Sequence, residues 1–554
     1  MAGGGDVRAV RCGVVLLLLL AFPALAQVTW PTTKQTVGEV SDLLRLMGAI
    51  APSSGVDGEP VHSAGELLRF YRERDYRPAW MDTNGVYLET ADVVELLRRA
   101  PMEGLPADRY HVTGIENRLA LADDVVQLAQ LDLLLTDAFL TYAREVRLGR
   151  VAPRDVDPKW RIQRQKFDAV AALEAALAQH TVVESLDAMA PPHDGYKRLR
   201  VALARYRAVE RRGGWPEIKA GKTALKAGVR DPRVPALRWH MVATGDLRDD
   251  EARDENLFDD DLDKAVRHFQ ERHGLEIDGV IGEGTRKAMN TPLAERIRQI
   301  ELNMERWRWL PRDFPARYLM VNMAGYELQI VENGLPIREM RVVVGRDQRQ
   351  TPSMQTRVHA LVINPYWFVP ETVLREDLLP ALQKDKGLLS RLNLKVLSSI
   401  KGNGTEVDAA TIDWKRFDPK APFPYTLRQD PGPTNALGRL KFLLENSPAI
   451  YLHDTPDTGT FARRTRALSS GCIRLEEPLA LAQYLLGGDW DQAKIEAVMA
   501  EGKPQQVELP EPLPIFLIYW TAWVNELNEL HFREDVYGRD TRLAEAAGEG
   551  NGTR

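Results

Sequence analysis

From about Val37 to Gly245 apolar residues recur at spacings of three and four. Leu67, Phe70 and Tyr71 share one predicted helical face, and Leu131, Leu134, Leu135, Ala138 and Tyr142 share another. Glycine and proline punctuate these runs, as in Glu103-Gly104-Leu105-Pro106 and Arg212-Gly213-Gly214-Trp215-Pro216. Residues 37–245 therefore read as a helical scaffold. A compact unit follows over 255–295. Leu262, Val266 and Phe269 stand at helical spacing, the turns between Gly274 and Gly282 come next, and a second helix runs through Arg286, Ala288 and Met289 with Thr285 as its cap. The acidic stretch from Asp246 to Asp263 lacks the alternating ligands and central glycine of a calcium loop and reads as a solvated linker or a helix entry.

From Tyr318 the period changes to that of strands: Tyr318–Asn322, Tyr326–Val331 and Met340–Val344, with Ala324-Gly325 and Asn333-Gly334 as hairpin turns. Strand texture pauses over a partly helical insertion at 371–430 and returns at Leu440–Leu444 and 449–453. The fold class expected is multidomain α + β, with a mainly β domain over 316–505. Residues 506–540 complete that region, and 541–554, rich in Ala, Gly and Glu, read as a disordered tail.

The N-terminus carries Arg8 and Arg11, an apolar core from Val14 to Phe22, and Ala24-Leu25-Ala26, the pattern of a cleaved export signal over 1–26. Its core is shorter than the ~20 residues that span a bilayer, so a membrane is a partner only if the signal stays uncleaved. The composition, 44% hydrophobic and 27% charged, is that of globular protein. A formal net charge of −6 supplies no global field for nucleic acid.

Cys12 lies within the signal, so Cys472 is the single cysteine expected in the mature chain. An exported lone thiol is buried and inert, paired between chains, or chemically used. It stands in Ser469-Ser470-Gly471-Cys472-Ile473-Arg474-Leu475, and His453 precedes it in Tyr451-Leu452-His453-Asp454-Thr455-Pro456. An imidazole in reach can take the thiol proton and return one to a leaving amine. Gly471 lets backbone and substrate approach closely, and the N–H groups of Gly471 and Cys472 are candidates for an oxyanion hole. Ser469 and Ser470 are candidates to orient the imidazole or a substrate amide, and Arg474 to hold a carboxylate. A lone cysteine is commonly a small buried hydrophobe, however, and a lone histidine at a strand end is often merely hydrogen-bonded. Spacing alone does not name the reaction. His268 and His273 have no evident third ligand, so neither metal nor organic cofactor is indicated.

The His453 and Cys472 motifs together resemble the signature of the L,D-transpeptidase family. Asn364-Pro365-Tyr366-Trp367-Phe368-Val369-Pro370, Gln429-Asp430-Pro431-Gly432-Pro433 with Asn435-Ala436-Leu437-Gly438, and Phe532-Arg533-Glu534-Asp535-Val536-Tyr537-Gly538-Arg539-Asp540 are similar to its long murein branch. So are Phe70-Tyr71-Arg72, Pro78-Ala79-Trp80 and Glu103-Gly104-Leu105 in the scaffold. The run Ala265-Val266-Arg267-His268-Phe269-Gln270 through Asp278-Gly279 to Thr285 resembles a three-helix peptidoglycan-binding domain. One departure is that Ser470 stands where the family most often has histidine, which leaves the base role to His453 alone.

This resemblance implies a periplasmic, cell-wall enzyme with Cys472 as nucleophile, His453 as base, Gly471 and Ser470 beside them, and Arg474, Ser469 and Tyr451 toward substrate. Its partners would be peptidoglycan stem peptides, as donor and acceptor, with other cell-wall synthesis proteins as further candidates. It implies 3→3 cross-links made through a thioester with loss of D-alanine, under an inserted lid that excludes water, and acylation of Cys472 by carbapenems. The alternatives are an L,D-carboxypeptidase or protein-to-murein ligase using the same thiol, and a non-catalytic murein-binding scaffold.

Overall fold

The computed structural model describes residues 33–548 apart from 122–123, 249–253, 386, 400–403 and 446–449. The expected export signal and residues 549–554 of the expected tail lie outside the described residues. The chain divides into two compact units, one holding Met1–Glu95 with Tyr110–Ala138 and the other Leu96–Arg109 with Phe139–Arg554.

In the first unit, α1 (Ala64–Glu73) buries Leu67, Phe70 and Tyr71, the predicted face. A buried carboxylate organises the neighbourhood. Asp132 accepts the Tyr71 hydroxyl at 2.6 Å and the backbone N–H groups of Ala79 and Trp80 at 2.9 Å. The segments around Tyr71 and Trp80 are thus joined by the hydrogen bonds that a buried carboxylate needs. The helix carrying Asp132, α2 (Val125–Leu148), buries Leu131, Leu134, Leu135, Ala138 and Tyr142 as expected.

In the second unit, α3 (Asp194–Arg211) contributes Tyr196, Leu199, Leu203 and Tyr206 to a core that takes in residues from both ends of the unit. The three-helix unit consists of α4 (Val234–Thr244), α5 (Asp260–Arg272) and α6 (Glu283–Met289). Its core holds Leu262, Val266 and Phe269 with Leu237 and Met241 of α4, which the expected boundary at 255 assigned to the scaffold. Thr285 is not the cap of α6. Gly282, extended at φ −76° and ψ −173°, holds that position, while Thr285 lies buried in the first turn and accepts from Gln270 Nε2 at 3.2 Å. Nor is Asp246 solvated. It accepts from His268 Nδ1 at 2.6 Å and Arg272 Nε at 2.8 Å, while His268 Nε2 meets Glu529 at 3.0 Å. His273 stacks on Phe269 with ring centroids 3.8 Å apart.

Next, α7 (Leu293–Arg308) leads into the β region, whose strands are β1 (Arg317–Asn322), β2 (Glu327–Glu332), β3 (Leu335–Gly345) and β4 (Met354–Ile363). The insertion adds β5 (Trp367–Phe368), β6 (Leu394–Leu397), β7 (Glu406–Val407) and β8 (Thr426–Gln429). The main sheet resumes with β9 (Leu440–Leu444), β10 (Leu452–His453), β11 (Ala467–Ser469), β12 (Ile473–Leu475) and β13 (Gln505–Ile518). Its order is β11-β3-β12-β10-β9-β4-β13-β1-β2, and β3 also pairs with β2, which closes the sheet into a ring. The insertion is a small layer of its own, a sheet of order β5-β8-β6-β7 with a core of Leu374, Leu379, Leu382, Val396, Trp414 and Leu427.

β13 is central rather than peripheral. It runs antiparallel to β4 and parallel to β1. Pro510, Pro512 and Pro514 argue against a central strand, and the structure meets them with a register shift between Glu508 and Leu513. A hairpin, β14 (Ala522–Val524) with β15 (Leu530–Phe532), follows and packs with α3 and α7. The last correction concerns the tail. Residues 539–546 form α8 (Arg539–Ala546), with Leu543 fully buried and Arg539 paired to Asp157 at 3.0 Å. A polar composition hid one apolar face that docks.

Burial alone would raise the Asp246 carboxyl, but Arg272 and the hydrogen bonds from His268, Arg272 and Thr244 hold it well below the usual carboxylate range. Its contribution to stability is therefore complete above the unfolded aspartate pKa of ~3.9 and is lost as pH falls below that. Asp246→Ala leaves the Arg272 guanidinium buried without its partner, and urea unfolding is expected to show a loss of about 3–5 kcal/mol near neutral pH. The loss should shrink in acid.

Candidate active site around Cys472

The site is built on a short parallel pairing. In β10 and β12, Leu452 lies opposite Ile473 and His453 opposite Arg474, while β9 places Lys441 opposite His453 and Phe442 opposite Leu452. Side chains alternate across a sheet. Leu452, Phe442 and Ile473 are fully buried in the core, so Lys441, His453 and Arg474 form a row on the other face. The Ile473 N–H donates to the Tyr451 carbonyl at 3.1 Å, which brings Cys472 beside Tyr451.

The His453 ring is buried, and its Nδ1 lies 2.5 Å from the Asp454 carbonyl oxygen. A carbonyl only accepts, so Nδ1 carries the proton and Nε2 presents a lone pair. Burial pushes the imidazole down to about 3 against that hydrogen bond, and the Arg474 and Lys441 cations push the same way. It is neutral at any physiological pH. Cys472 is partly exposed. Burial pushes its thiol up, opposed by hydrogen bonds from the Tyr451 N–H and hydroxyl and by the charges of Lys441 and Arg474. Among the described residues, Sγ is hydrogen-bonded by Tyr451 and not by the imidazole. The resting pair is thus a neutral thiol and a neutral base rather than an ion pair.

The turn that carries Cys472 is internally satisfied. Ser469 Oγ donates to the Cys472 carbonyl at 2.5 Å and accepts the Gly471 N–H at 3.1 Å. Ser469 therefore shapes the turn instead of orienting the imidazole, and the Gly471 N–H is committed within it. The Cys472 N–H is left as the oxyanion donor of the expected pair. Gly471 has φ +117°, which L side chains rarely adopt, so the backbone itself requires glycine here. Thr351 Oγ1 donates to the Gly471 carbonyl at 2.8 Å and accepts the Gly345 N–H at 2.9 Å. Ser470 is exposed and accepts from Arg349 Nη1 at 2.9 Å. Arg349 in turn pairs with Glu376 at 2.5 Å and Asp377 at 2.6 Å, in the insertion. The position usually held by a second imidazole is thus tied to the insertion through an arginine.

Arg474 is half-buried, and its Nε is buried without a hydrogen-bond partner among the described residues. Such a guanidinium is suited to a carboxylate that comes with substrate. The motif glycine Gly438 has a packing reason, because a Cβ there would lie 2.3 Å from the Asp454 carboxylate. That carboxylate accepts the N–H groups of Arg439 and Thr455, each at 2.7 Å. Asn435 Nδ2 donates to the carbonyls of Pro365 and Asp430 at 3.0 and 3.1 Å, which draws two more motif segments together.

Sequence reading missed Arg349, Thr351 and Lys441. Only Lys441 left a signal, a lysine within the apolar run Leu440-Lys441-Phe442-Leu443-Leu444. With His453 neutral and the thiol raised, the rate of Cys472 alkylation by iodoacetamide is expected to rise in one step on the alkaline side. Followed over roughly pH 4 to 10, it should show no step near the free-imidazole value of ~6.5. A step there that vanishes in His453→Gln would contradict the neutral resting pair.

Three family matches lie along this chain. Residues 65–203 match a scaffold domain, 231–289 a "Putative peptidoglycan binding domain", and 316–498 the YkuD L,D-transpeptidase catalytic domain. A "Putative L,D-transpeptidase" of Haemophilus influenzae is 39% identical over 246 residues, 44% of this chain and 48% of that protein. The match therefore spans about half the length of that relative. The "N-acetylmuramoyl-L-alanine amidase CwlM" of Mycobacterium tuberculosis is 40% identical over 73 residues, 12% of this chain and 18% of that protein. Among solved structures, an L,D-transpeptidase from Xylanimonas cellulosilytica (residues 123–326) has 14% identity, 54% and 100% coverage of the two chains and a TM-score of 0.18. One from Stackebrandtia nassauensis has 12% identity, 55% and 96% coverage and a TM-score of 0.22. Scores that low carry no weight, and the assignment rests on the family matches and the Haemophilus relative. The row of residues around Cys472 and His453 lies in an L,D-transpeptidase catalytic domain, which this chain carries behind a peptidoglycan-binding domain.

Proposed function

We propose that this chain is a cysteine-dependent L,D-transpeptidase acting on peptidoglycan tetrapeptide stems outside the cytoplasm. The observation that supports it most is the pairing of β10 with β12, which lays His453 opposite Arg474, two residues beyond Cys472, within the matched domain. Sγ attacks the carbonyl carbon of the third stem residue, and the C–N bond to the terminal D-alanine breaks. The thiol proton passes to His453 Nε2 and on to the departing amine, leaving a thioester on Cys472. The Cys472 N–H faces the oxygen that gains charge. A side-chain amine of a second stem then attacks the thioester and gives its proton to the imidazole. The product is a 3→3 cross-link, and the thiol is restored. Arg474 holds a stem carboxylate.

The insertion acts as a lid. Arg346 and Arg349 both pair with Asp377, at 3.0 and 2.6 Å, so the layer that carries Asp377 is fastened beside the nucleophile turn. Exclusion of water favours the amine acceptor over hydrolysis. The carboxypeptidase and ligase readings differ only in the acceptor and need no other residue.

Incubation of the mature protein with disaccharide-tetrapeptide, followed by muropeptide analysis and intact mass, tests the reaction. The expected outcome is a cross-linked dimer with D-alanine release, abolished in Cys472→Ala. No adduct and no turnover from folded protein with a free thiol would leave the murein-binding scaffold as the reading. The double variant Glu376→Ala/Asp377→Ala, which leaves the nucleophile turn intact, is expected to raise the hydrolysed-to-cross-linked ratio several-fold. An unchanged ratio would remove the lid role.

A further inference from the structure

Among the described residues, Lys441 is a cation with no carboxylate paired to it. Leu440, Phe442 and Leu444 of β9 point into the core, and Lys441 projects to the opposite face, in register with His453. Its ammonium lies 4.0 Å from the centroid of the Tyr451 ring, a cation–π contact. The side chain is half-buried, and no carboxylate pairs with it among the described residues. Desolvating an ammonium without a counter-charge is costly, and burial accordingly pushes Lys441 below the ordinary lysine range. Cys472 is the group whose charge opposes that shift.

The other charged and titratable groups around Sγ do not fill the role. Tyr451 hydrogen-bonds Sγ as a neutral donor, with its hydroxyl pushed far up by burial. Asp457 offsets the charge of Arg474, and the Asp454 carboxylate is turned to the N–H groups of Arg439 and Thr455. Arg349 beside Ser470 is matched by Glu376 and Asp377. The anion this pocket is built to receive over Tyr451 is a thiolate.

We propose that Lys441 is the counter-cation of the Cys472 thiolate, acting together with the Tyr451 hydroxyl. The proposal rests on Cys472 being the nucleophile. When the S–H bond breaks and the proton moves to His453 Nε2, Lys441 stabilises the negative sulfur through space. The same ammonium, with Arg474, disfavours a positive charge on His453, so the proton is handed on to the departing amine and not retained. Lys441 is in this sense a positioning residue, whose effect is to set the thiol's acidity.

The test is the pH profile of Cys472 alkylation by iodoacetamide in the full mature protein. Lys441→Met keeps the length and packing of the side chain and removes the charge. Its profile is expected to move up by about one pH unit, an about tenfold slower reaction at any pH below the titration. Lys441→Arg keeps the charge and should stay within about twofold of wild type. Lys441→Gln carries the same expectation as Lys441→Met and replaces it if the methionine variant does not fold. A profile of either neutral variant that overlays the wild type in folded protein overturns the proposal, as does an arginine variant that behaves like methionine. Alkylation needs no peptide substrate. A shifted profile with no muropeptide product would sink the transpeptidase reading and leave Lys441 in place, and the converse result would do the opposite.

Discussion

Two backbone pairings between strands of two and three residues hold the catalytic centre. Leu452 against Ile473 and His453 against Arg474 are the register pairs that join β10 to β12, and they bring together two motifs whose histidine and cysteine stand nineteen positions apart in the chain. A slip of one residue would turn His453 into the core and Leu452 onto the active face. The register is secured from below by the buried row of Phe442, Leu452 and Ile473, and from beside by the hydrogen bond between Ile473 and Tyr451. The wall around Cys472 has the same character. Thr351 joins the ends of two loops, and Tyr537, from the C-terminal segment, donates to the Gly345 carbonyl at 2.5 Å.

The electrostatics follow from that burial. Within a sheet face shielded by the core, charging the imidazole is costly, and the nearby cations make it costlier. A cysteine protease of the ion-pair kind keeps a thiolate at rest, whereas here thiol and base are both neutral and the pocket carries the positive charge.

The last third of the chain binds the pieces of the second unit into one framework. β13 lies between β4 and β1 in the middle of the catalytic sheet, and the hairpin after it enters the aromatic core shared by α3 and α7. Arg272 of the three-helix unit donates to the Leu530 carbonyl in that hairpin, while its guanidinium is held by Asp246. The peptidoglycan-binding match and the catalytic sheet are therefore fastened through buried charge as well as apolar packing.

Much of this was legible in the chain. Helical spacing located the faces of α1, α2 and α5, the Asn333-Gly334 turn and its flanking strands were clear, and the motifs around His453 and Cys472 marked the segments that the structure pairs as neighbouring strands. These are local properties: side-chain period, turn conformation and the residue types a reaction needs. What only the tertiary structure decided is non-local. β13 was hidden by three prolines that a register shift accommodates, and α8 by a polar composition with one docking face. Ser469 and the Gly471 N–H, both legible as site groups, proved to be committed to each other. The roles of Lys441, Arg349 and Thr351 depend on strands and loops that meet from distant parts of the chain. Whether a cation is paired, or a hydroxyl already spent, depends on the space around it, and the order of residues along a chain does not specify that space.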